Sequence, residues 1–418
     1  MPRAKPAAET VELRVERIGM RGDGIAQWRG EPVFIPFTAP GDVVRARLGP
    51  KRGDGRSAEL RELIAKGARA DPPCAHFGAC GGCALQHLDE AAYVAAKRQW
   101  LETALAQQHL EAERIAPLTR FTARTRRRAR FQLKGKRVGF HARGSHRIVD
   151  LRECHVLHPR LMALLPLLRA FPAAAGATAA SATLADNGID LLIDLAHAPD
   201  FPLLETMARL AEEGDLARLS WREGDRITPV AERRKPQVIL SGVAVVLPED
   251  GFLQPSVEAE TALAAAVIDL VGAAEPVADL YAGIGTFSFA LARGAKVHAV
   301  EGHAGAVEAL SQAAARAGLA RTISAEKRDL AARPLEAEEL ARFEAVVFDP
   351  PYAGAKEQSR ALAGSAVPRI VAVSCNPASF ARDARILVDG GYRLTAVAPF
   401  DAFLWSANLE LVAGFERS

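Results

Sequence analysis

Ser374-Cys375-Asn376-Pro377 places a thiol between an apolar run, Ile370-Val371-Ala372-Val373, and a helix-like segment from Ser379 to Leu387. A cysteine there ends a buried strand, where open α/β sheets hold their ligands. Carboxylates occupy comparable places. Glu301 ends Lys296-Val297-His298-Ala299-Val300, and Asp349 ends Ala345-Val346-Val347-Phe348 and opens Asp349-Pro350-Pro351-Tyr352. Asp401 and Glu410 are the only carboxylates of the last such stretch, residues 401–410. A thiolate can add to an electron-poor ring carbon, and a separate base must then resolve the adduct. An isolated cysteine is more often an inert small hydrophobe. The acidic strand ends make the reactive reading the stronger one here.

A methyl donor is implied upstream. Val277-Ala278-Asp279-Leu280-Tyr281-Ala282-Gly283-Ile284-Gly285-Thr286-Phe287 is a strand running into a glycine turn. Gly283 and Gly285 let the backbone approach a ligand closely, and Glu301, about 20 positions on, suits the two ribose hydroxyls. A dinucleotide fold would carry a third glycine where Ser288 stands. The turn therefore predicts S-adenosylmethionine (SAM) rather than NAD. A thiol beside a methyl donor suits carbon 5 of uracil, which is too weak a nucleophile until a thiolate adds at carbon 6. Asp349-Pro350-Pro351-Tyr352 also resembles the motif of methyltransferases acting on the exocyclic amines of adenine or cytosine. That is the alternative enzyme.

These residues need a scaffold, and 418 residues are enough for two or three domains. Residues 8–66 read as a small β-barrel of the oligonucleotide-binding kind, with Val11-Glu12-Leu13-Arg14-Val15 alternating as a half-buried strand does. Residues 67–250 read as a β-rich central domain. Its stretch 89–115 is helix-like at first and is a candidate to pack on the catalytic domain. Leu161 to Leu184 is alanine-rich and helical by propensity. Residues 251–418 alternate strand and helix, which predicts an α/β, Rossmann-like catalytic domain with a parallel sheet. Met1 to Glu9 has no apolar core of a signal peptide, and no apolar run reaches membrane length. A cytoplasmic monomer without membrane contact is expected.

Net charge is only +3, but residues 121–147 hold ten Lys or Arg and no carboxylate. Such a block predicts a polyanion surface, with Arg124, Arg126, Arg127, Arg128 and Arg130 on phosphates. Phe131, Phe140 and His141 are stacking candidates, although the alternation of Phe131 with Leu133 favours the core for Phe131. Cys74, Cys80 and Cys83 are spaced C-x5-C-x2-C, and Cys154 follows. In a reducing compartment four thiols suit zinc or a 4Fe-4S cluster, and spacing alone does not choose.

Val373-Ser374-Cys375-Asn376-Pro377-Ala378-Ser379-Phe380-Ala381-Arg382-Asp383 resembles the nucleophile motif of the RNA 5-methyluridine (uracil-5) methyltransferases. The resemblance implies Cys375 as nucleophile, Glu410 as base, and SAM contacts from Gln254, Tyr281, Thr286, Glu301 and Asp329. Asp349 would orient the uracil or lie near the donor. It also implies that Cys74, Cys80, Cys83 and Cys154 hold 4Fe-4S, that the N-terminal barrel is a TRAM-like RNA-binding module, and that the substrate is 23S rRNA, with tRNA as the other choice. The sequence departs from the family at Leu404, Trp405, Ser406 and Asn408, where proline, histidine and threonine are usual and the segment ends His-x-Glu. Tyr352 replaces an arginine and Ser256 an asparagine. A catalytically lapsed RNA-binding protein is the reading from another class.

Overall fold

The computed structural model describes residues 9–172 and 175–417. The segment read as lacking a signal peptide, apart from Glu9, and the first residue of the expected barrel lie outside the described residues. The chain forms two compact units.

The first unit contains residues up to Thr103, with His141–His146 and Phe403–Asn408. Strands β1 (Thr10–Ile18), β2 (Asp23–Trp28), β3 (Glu31–Pro36), β4 (Val43–Arg52) and β5 (Gly55–Ala65) close into a barrel of order β1-β2-β3-β5-β4. Alternate residues point inward, so Leu13, Val15, Val33, Ile35, Val44 and Ala46 form its core. Gly24 is required by close approach, because a Cβ there would lie 2.0 Å from the Thr38 hydroxyl. Asp42 is fully buried and accepts from the amides of Ala39 (2.7 Å) and Gly67 (2.9 Å) and from Arg69 Nη1 (2.5 Å). One carboxylate thereby ties the corner before β4 to the chain leaving β5.

Helix α1 (Glu90–Gln107) puts Tyr93, Ala96 and Trp100 against Ile18, Leu85, Leu88 and Leu404. Trp100 donates its indole N–H to the Ile18 carbonyl at 3.1 Å. The segment 403–408 is held to the same unit. The Trp405 amide donates to the Tyr93 hydroxyl (2.9 Å), and the Ala84 and Leu85 amides donate to the Trp405 carbonyl (2.8 and 3.1 Å). Lys97 is buried between the Tyr93 and Trp100 rings and donates to the Asn408 carbonyl.

The second unit contains residues 104–140, 147–402 and 409–418. Its first elements are β6 (Arg114–Ile115), β7 (Thr119–Arg120), β8 (Arg128–Lys134), β9 (Arg137–His141), β10 (Ile148–Asp150), α2 (Pro159–Met162), α3 (Leu165–Ala170), β11 (Ala177–Ala185), β12 (Gly188–Leu195), α4 (Phe201–Glu213), β13 (Leu216–Glu223) and β14 (Arg226–Glu232). Strands β8 to β14 build a seven-stranded sheet of order β10-β9-β8-β11-β12-β13-β14. The helix expected across Leu161 to Leu184 stops early. Residues 177–185 form strand β11, paired antiparallel to β8 and β12, with Ala180 opposite Phe131 and Ile193. Alanine propensity loses to two flanking strands that satisfy the backbone groups of the segment.

After the hairpin β15 (Gln237–Leu240) and β16 (Val243–Val246) comes the alternating region: α5 (Val257–Val271), β17 (Val277–Leu280), α6 (Thr286–Leu291), β18 (Val297–Glu301), α7 (Ala304–Arg316), β19 (Ile323–Lys327), α8 (Ala337–Leu340), β20 (Ala345–Phe348), α9 (Lys356–Ala363), β21 (Arg369–Ser374), α10 (Pro377–Asp389), β22 (Tyr392–Asp401) and β23 (Glu410–Arg417). The nine-stranded sheet runs β19-β18-β17-β20-β21-β23-β22-β6, with β7 also on β22. The five strands from β19 to β21 are parallel, and β23 inserts antiparallel beside β21. Arg114–Ile115 of the stretch 89–115 extends this sheet. No helix among the described residues is long and apolar enough to cross a membrane.

Asp42→Ala leaves two amides and a guanidinium without their acceptor in a buried corner. The expected loss is about 2–4 kcal/mol of barrel stability, read as a lowered urea midpoint of the first unit's unfolding. A change within about 0.5 kcal/mol would show that water replaces the carboxylate.

Candidate active site

The parallel strands bring their carboxyl ends to one edge. β17 leads into Tyr281, which takes a left-handed backbone with φ of 60°. Gly283 (φ 56°) and Gly285 (φ 98°) follow. A Cβ on Gly285 would lie 2.7 Å from the Phe289 ring, so this glycine serves packing. A Cβ on Gly283 would meet nothing within 4 Å, so this turn leaves open space for a ligand. Glu301, at the end of β18, accepts from the Gly283 amide (3.0 Å) and the His303 amide (2.7 Å). Its carboxylate therefore sets the turn's shape and keeps lone pairs for a further donor. Thr286 opens α6. Asp329 is exposed beyond β19 and caps the Ala331 and Ala332 amides at 3.0 and 3.4 Å.

Sequence reading missed a carboxyl under this turn. Asp279 is fully buried, and Ser288 donates its hydroxyl to it at 2.5 Å. Burial pushes Asp279 up to about 7, against the Ser288 hydrogen bond that favours the anion. Serine at the third glycine position was the available signal. The residue that breaks the dinucleotide pattern is the one that donates to one oxygen of Asp279.

Cys375 follows β21 and is half-buried. Asn376 caps α10, accepting from the Ala378 amide at 3.1 Å, so the thiol stands just ahead of a helix start. β23 pairs with β21 so that Ser374 faces Leu411. One further rung of that register sets Cys375 against Glu410, the first residue of β23. Asp401 ends β22 instead, and on that side Glu410 is opposite Phe400. Asp349, next to the end of β20, accepts from Gln254 Nε2 at 3.2 Å. Gln254 is itself fixed. Its carbonyl accepts from Arg127 Nε at 3.0 Å, and the Arg127 amide donates to the Pro255 carbonyl at 2.9 Å. Arg127 also pairs with Glu260, both nearly buried. The arginine expected on phosphate thus points into the core, because it anchors the Gln254 segment.

The electrostatics of this corner run one way. Burial pushes the Cys375 thiol up to about 12, and the charges of Glu410 and Asp349 add to that. Burial and Asp349 raise Glu410 well above the ordinary carboxylate range. Burial raises Asp349 too, against the Gln254 hydrogen bond. Like charges in one buried corner disfavour each other's ionisation, so the thiol and the two carboxyls do not all carry charge together.

Residues 242–417 match the family described as tRNA (Uracil-5-)-methyltransferase, and residues 8–48 match the TRAM domain. An uncharacterized RNA methyltransferase of Brucella suis is 40% identical, covering 97% of this chain and 98% of the relative. A 23S rRNA (uracil(1939)-C(5))-methyltransferase of Chromohalobacter salexigens is 35% identical, covering 95% of this chain and 87% of the relative. The chain belongs to the RNA uracil-5 methyltransferase family. It is a SAM-dependent enzyme with an N-terminal TRAM domain. A solved structure with the same fold is the Pyrococcus abyssi tRNA (uracil-54, C5)-methyltransferase in complex with S-adenosyl-L-homocysteine, at TM-score 0.73 and 21% identity, covering 97% of this chain and all of that one.

The methyltransferase's cysteine loop lies in the first unit. Cys74, Cys80 and Cys83 are half-buried on a loop turned by amide bonds from Phe77 to the Cys74 carbonyl and from Cys80 to the His76 carbonyl. The Gly82 amide points at Cys80 Sγ, 3.4 Å away, a contact that suits a thiolate. Cys154 follows β10 in the second unit and is also half-buried. The donor set fits a thiolate-bound centre in kind. Among the described residues, no three ligating side chains already stand close enough to hold an ion.

The basic block divides. Arg124 is exposed, Arg130 is exposed and pairs with Asp194, and Arg128 covers the Phe252 ring with its carbon 5.4 Å from the centroid. Phe131 is fully buried and stacks on Phe140 at 5.7 Å, and His141 meets His146 edge-on at 5.5 Å.

In the protein without RNA, Cys375 should alkylate slowly at pH 7 and faster as pH rises, because only the disfavoured thiolate reacts. Glu410→Gln removes a negative neighbour and should shift the iodoacetamide rate profile toward lower pH. A Cys375 that reacts fully at pH 7 would contradict this electrostatic account.

Proposed function

We propose that this methyltransferase modifies carbon 5 of one uridine in 23S rRNA through a covalent adduct on Cys375. The observation that carries the covalent reading is the β21–β23 register, which sets the thiol and the Glu410 carboxyl on adjacent strand ends. The ribosomal substrate is supported by the name of the 35% identical relative.

In this mechanism the Cys375 sulfur bonds to uracil carbon 6 as its proton passes to a neighbouring carboxylate or water. The carbon 5–carbon 6 π electrons move toward the carbon 4 oxygen as an enolate. SAM would supply an electrophilic methyl group, leaving as S-adenosylhomocysteine. Carbon 5 takes the methyl and still carries its hydrogen. Glu410, as carboxylate, removes that hydrogen as a proton, and the returning electrons expel the Cys375 thiolate. The elevated proton affinity of Glu410 suits that role, since burial makes it a stronger base than an exposed glutamate. Asp349, held by Gln254, orients the uracil or flanks the donor. Gln254, Tyr281, Gly283, Gly285, Thr286, Glu301 and Asp329 form the SAM contacts.

In the same reading the barrel 8–66 and central region 67–250 present RNA to residues 251–418. Arg124, Arg126, Arg128 and Arg130 meet phosphates, and Phe140 and His141 serve unpaired bases. Cys74, Cys80, Cys83 and Cys154 hold a 4Fe-4S cluster, which an all-thiol donor set and the Gly82 amide support. The enzyme works as a monomer in the cytoplasm.

Cys375→Ala should lower methyl transfer from labelled SAM to RNA by on the order of 10³-fold or more, and wild type should form a denaturation-stable adduct with 5-fluorouridine RNA. Glu410→Gln should accumulate a methylated adduct on ordinary RNA. Undiminished transfer by Cys375→Ala would instead favour an amine target read by Asp349 and Tyr352. Anaerobically purified protein should absorb at about 400 nm and contain iron. Colourless, zinc-bearing protein would refute the cluster.

A further inference from the structure

We propose that Tyr352 is a stacking platform for the unpaired nucleotide beside the target uridine. This inference rests on the RNA uracil-5 methyltransferase reading and adds a residue that reads the substrate's neighbourhood. Tyr352 is the third residue after Asp349 and is 61% exposed. Among the described residues its side chain has no hydrogen bond, ion pair or ring partner. The ring of Phe252, comparably exposed, is in contrast already covered by Arg128.

The backbone beneath the ring is fixed. Asn376 Nδ2 and the Ser379 hydroxyl both donate to the Tyr352 carbonyl, at 3.1 and 3.0 Å. Arg382 Nη2 donates to the Ala353 carbonyl at 2.9 Å, and Asp383 accepts from the Ala355 amide at 2.7 Å. The Gly354 amide closes the turn onto the Pro351 carbonyl at 2.7 Å, and two prolines remove freedom ahead of it. All of the outside anchors come from the segment directly following Cys375. The backbone carrying a large ring is thus fixed next to the segment of the nucleophile, and the ring is left in water. Folding does not need it there, since an exposed ring forgoes the burial that makes aromatics stabilising.

Depth decides which base it meets. The chain passes from half-buried Asp349, which contacts Gln254, and buried Pro350 out to exposed Pro351 and Tyr352. The uracil that reaches Cys375 and buried Glu410 must leave the stack and go below this rim. The nucleotide next to it stays outside and loses a stacking neighbour in the process. An exposed ring on this anchored turn replaces that lost contact. Exposed Lys356 and partly exposed Arg382 alongside suit the connecting phosphates.

The test uses the full-length enzyme, labelled SAM and unmodified total RNA from cells lacking this protein. Tyr352→Ala should raise the apparent KM for RNA on the order of 10- to 100-fold. SAM binding, followed by equilibrium dialysis, should stay within about twofold of wild type. Tyr352→Phe should behave as wild type, because the ring face acts rather than the hydroxyl. Tyr352→Leu should behave as alanine, because bulk without a π-face is insufficient. An unchanged KM in Tyr352→Ala, or full recovery by leucine, overturns the stacking role while leaving the enzyme reading intact. Wild type that transfers no methyl to this RNA overturns the enzyme reading instead, and this inference with it.

Discussion

The register of the nine-stranded sheet is the constraint on which the site depends. Leu280 faces Val300 on one side and Phe348 on the other, Phe348 faces Ala372, and Ser374 faces Leu411. Each pair is within a residue or two of a strand's functional end. Tyr281, Glu301, Asp349 and Cys375 therefore emerge at one edge without any of them having to reach. β23 enters that edge from the opposite direction, so its first residue rather than its last completes the set. A slip of one residue in β23 would turn Glu410 to the other face of the sheet, away from the thiol.

The same packing that fixes geometry sets the charge state. A buried corner that crowds a thiol, Asp349 and Glu410 disfavours charge on all three at once, because each anion would face another. The start of α10 just beyond Cys375 offers partial positive charge that burial outweighs in the resting protein. In the proposed mechanism, addition to the ring would move negative charge from sulfur to the uracil oxygen and relieve this crowding, and the raised proton affinity of Glu410 would suit its carboxylate to the later proton removal.

Much of the catalytic edge is legible in the amino-acid sequence, and the reason is local. Strand-ending acids, a glycine turn and a cysteine before Asn-Pro are signals carried by adjacent residues. Gln254 is named only by the family resemblance, and its contact with Asp349, 95 positions away, has no local mark in the sequence. What escapes depends on contacts distant in the chain. Arg127 reads like its neighbours in a basic run, but it turns inward, because Glu260 and the Gln254 carbonyl are there to receive it. Residues 177–185 read as helix from alanine content, while strands β8 and β12 on either side decide the matter. Asp279 is hidden inside an apolar strand pattern, and only Ser288, nine residues on, betrays it.

The departures around the base have a physical reading of their own. Where the family has proline, histidine and threonine, this chain has Leu404, Trp405, Ser406 and Asn408. Leu404 joins the core of α1 and the barrel, the Trp405 backbone bonds Tyr93, Ala84 and Leu85, the Ser406 hydroxyl accepts from the Asn408 amide at 3.1 Å, and Lys97 holds the Asn408 carbonyl. The backbone of the segment is therefore fixed at both ends by groups that do not require the usual side chains. Histidine two residues before the base would add a titrating group to the loop. With asparagine there, the raised proton affinity of Glu410 comes from burial and from Asp349. The unusual residues change what could tune Glu410, while the contacts that define the path of the chain into β23 are made by the main chain.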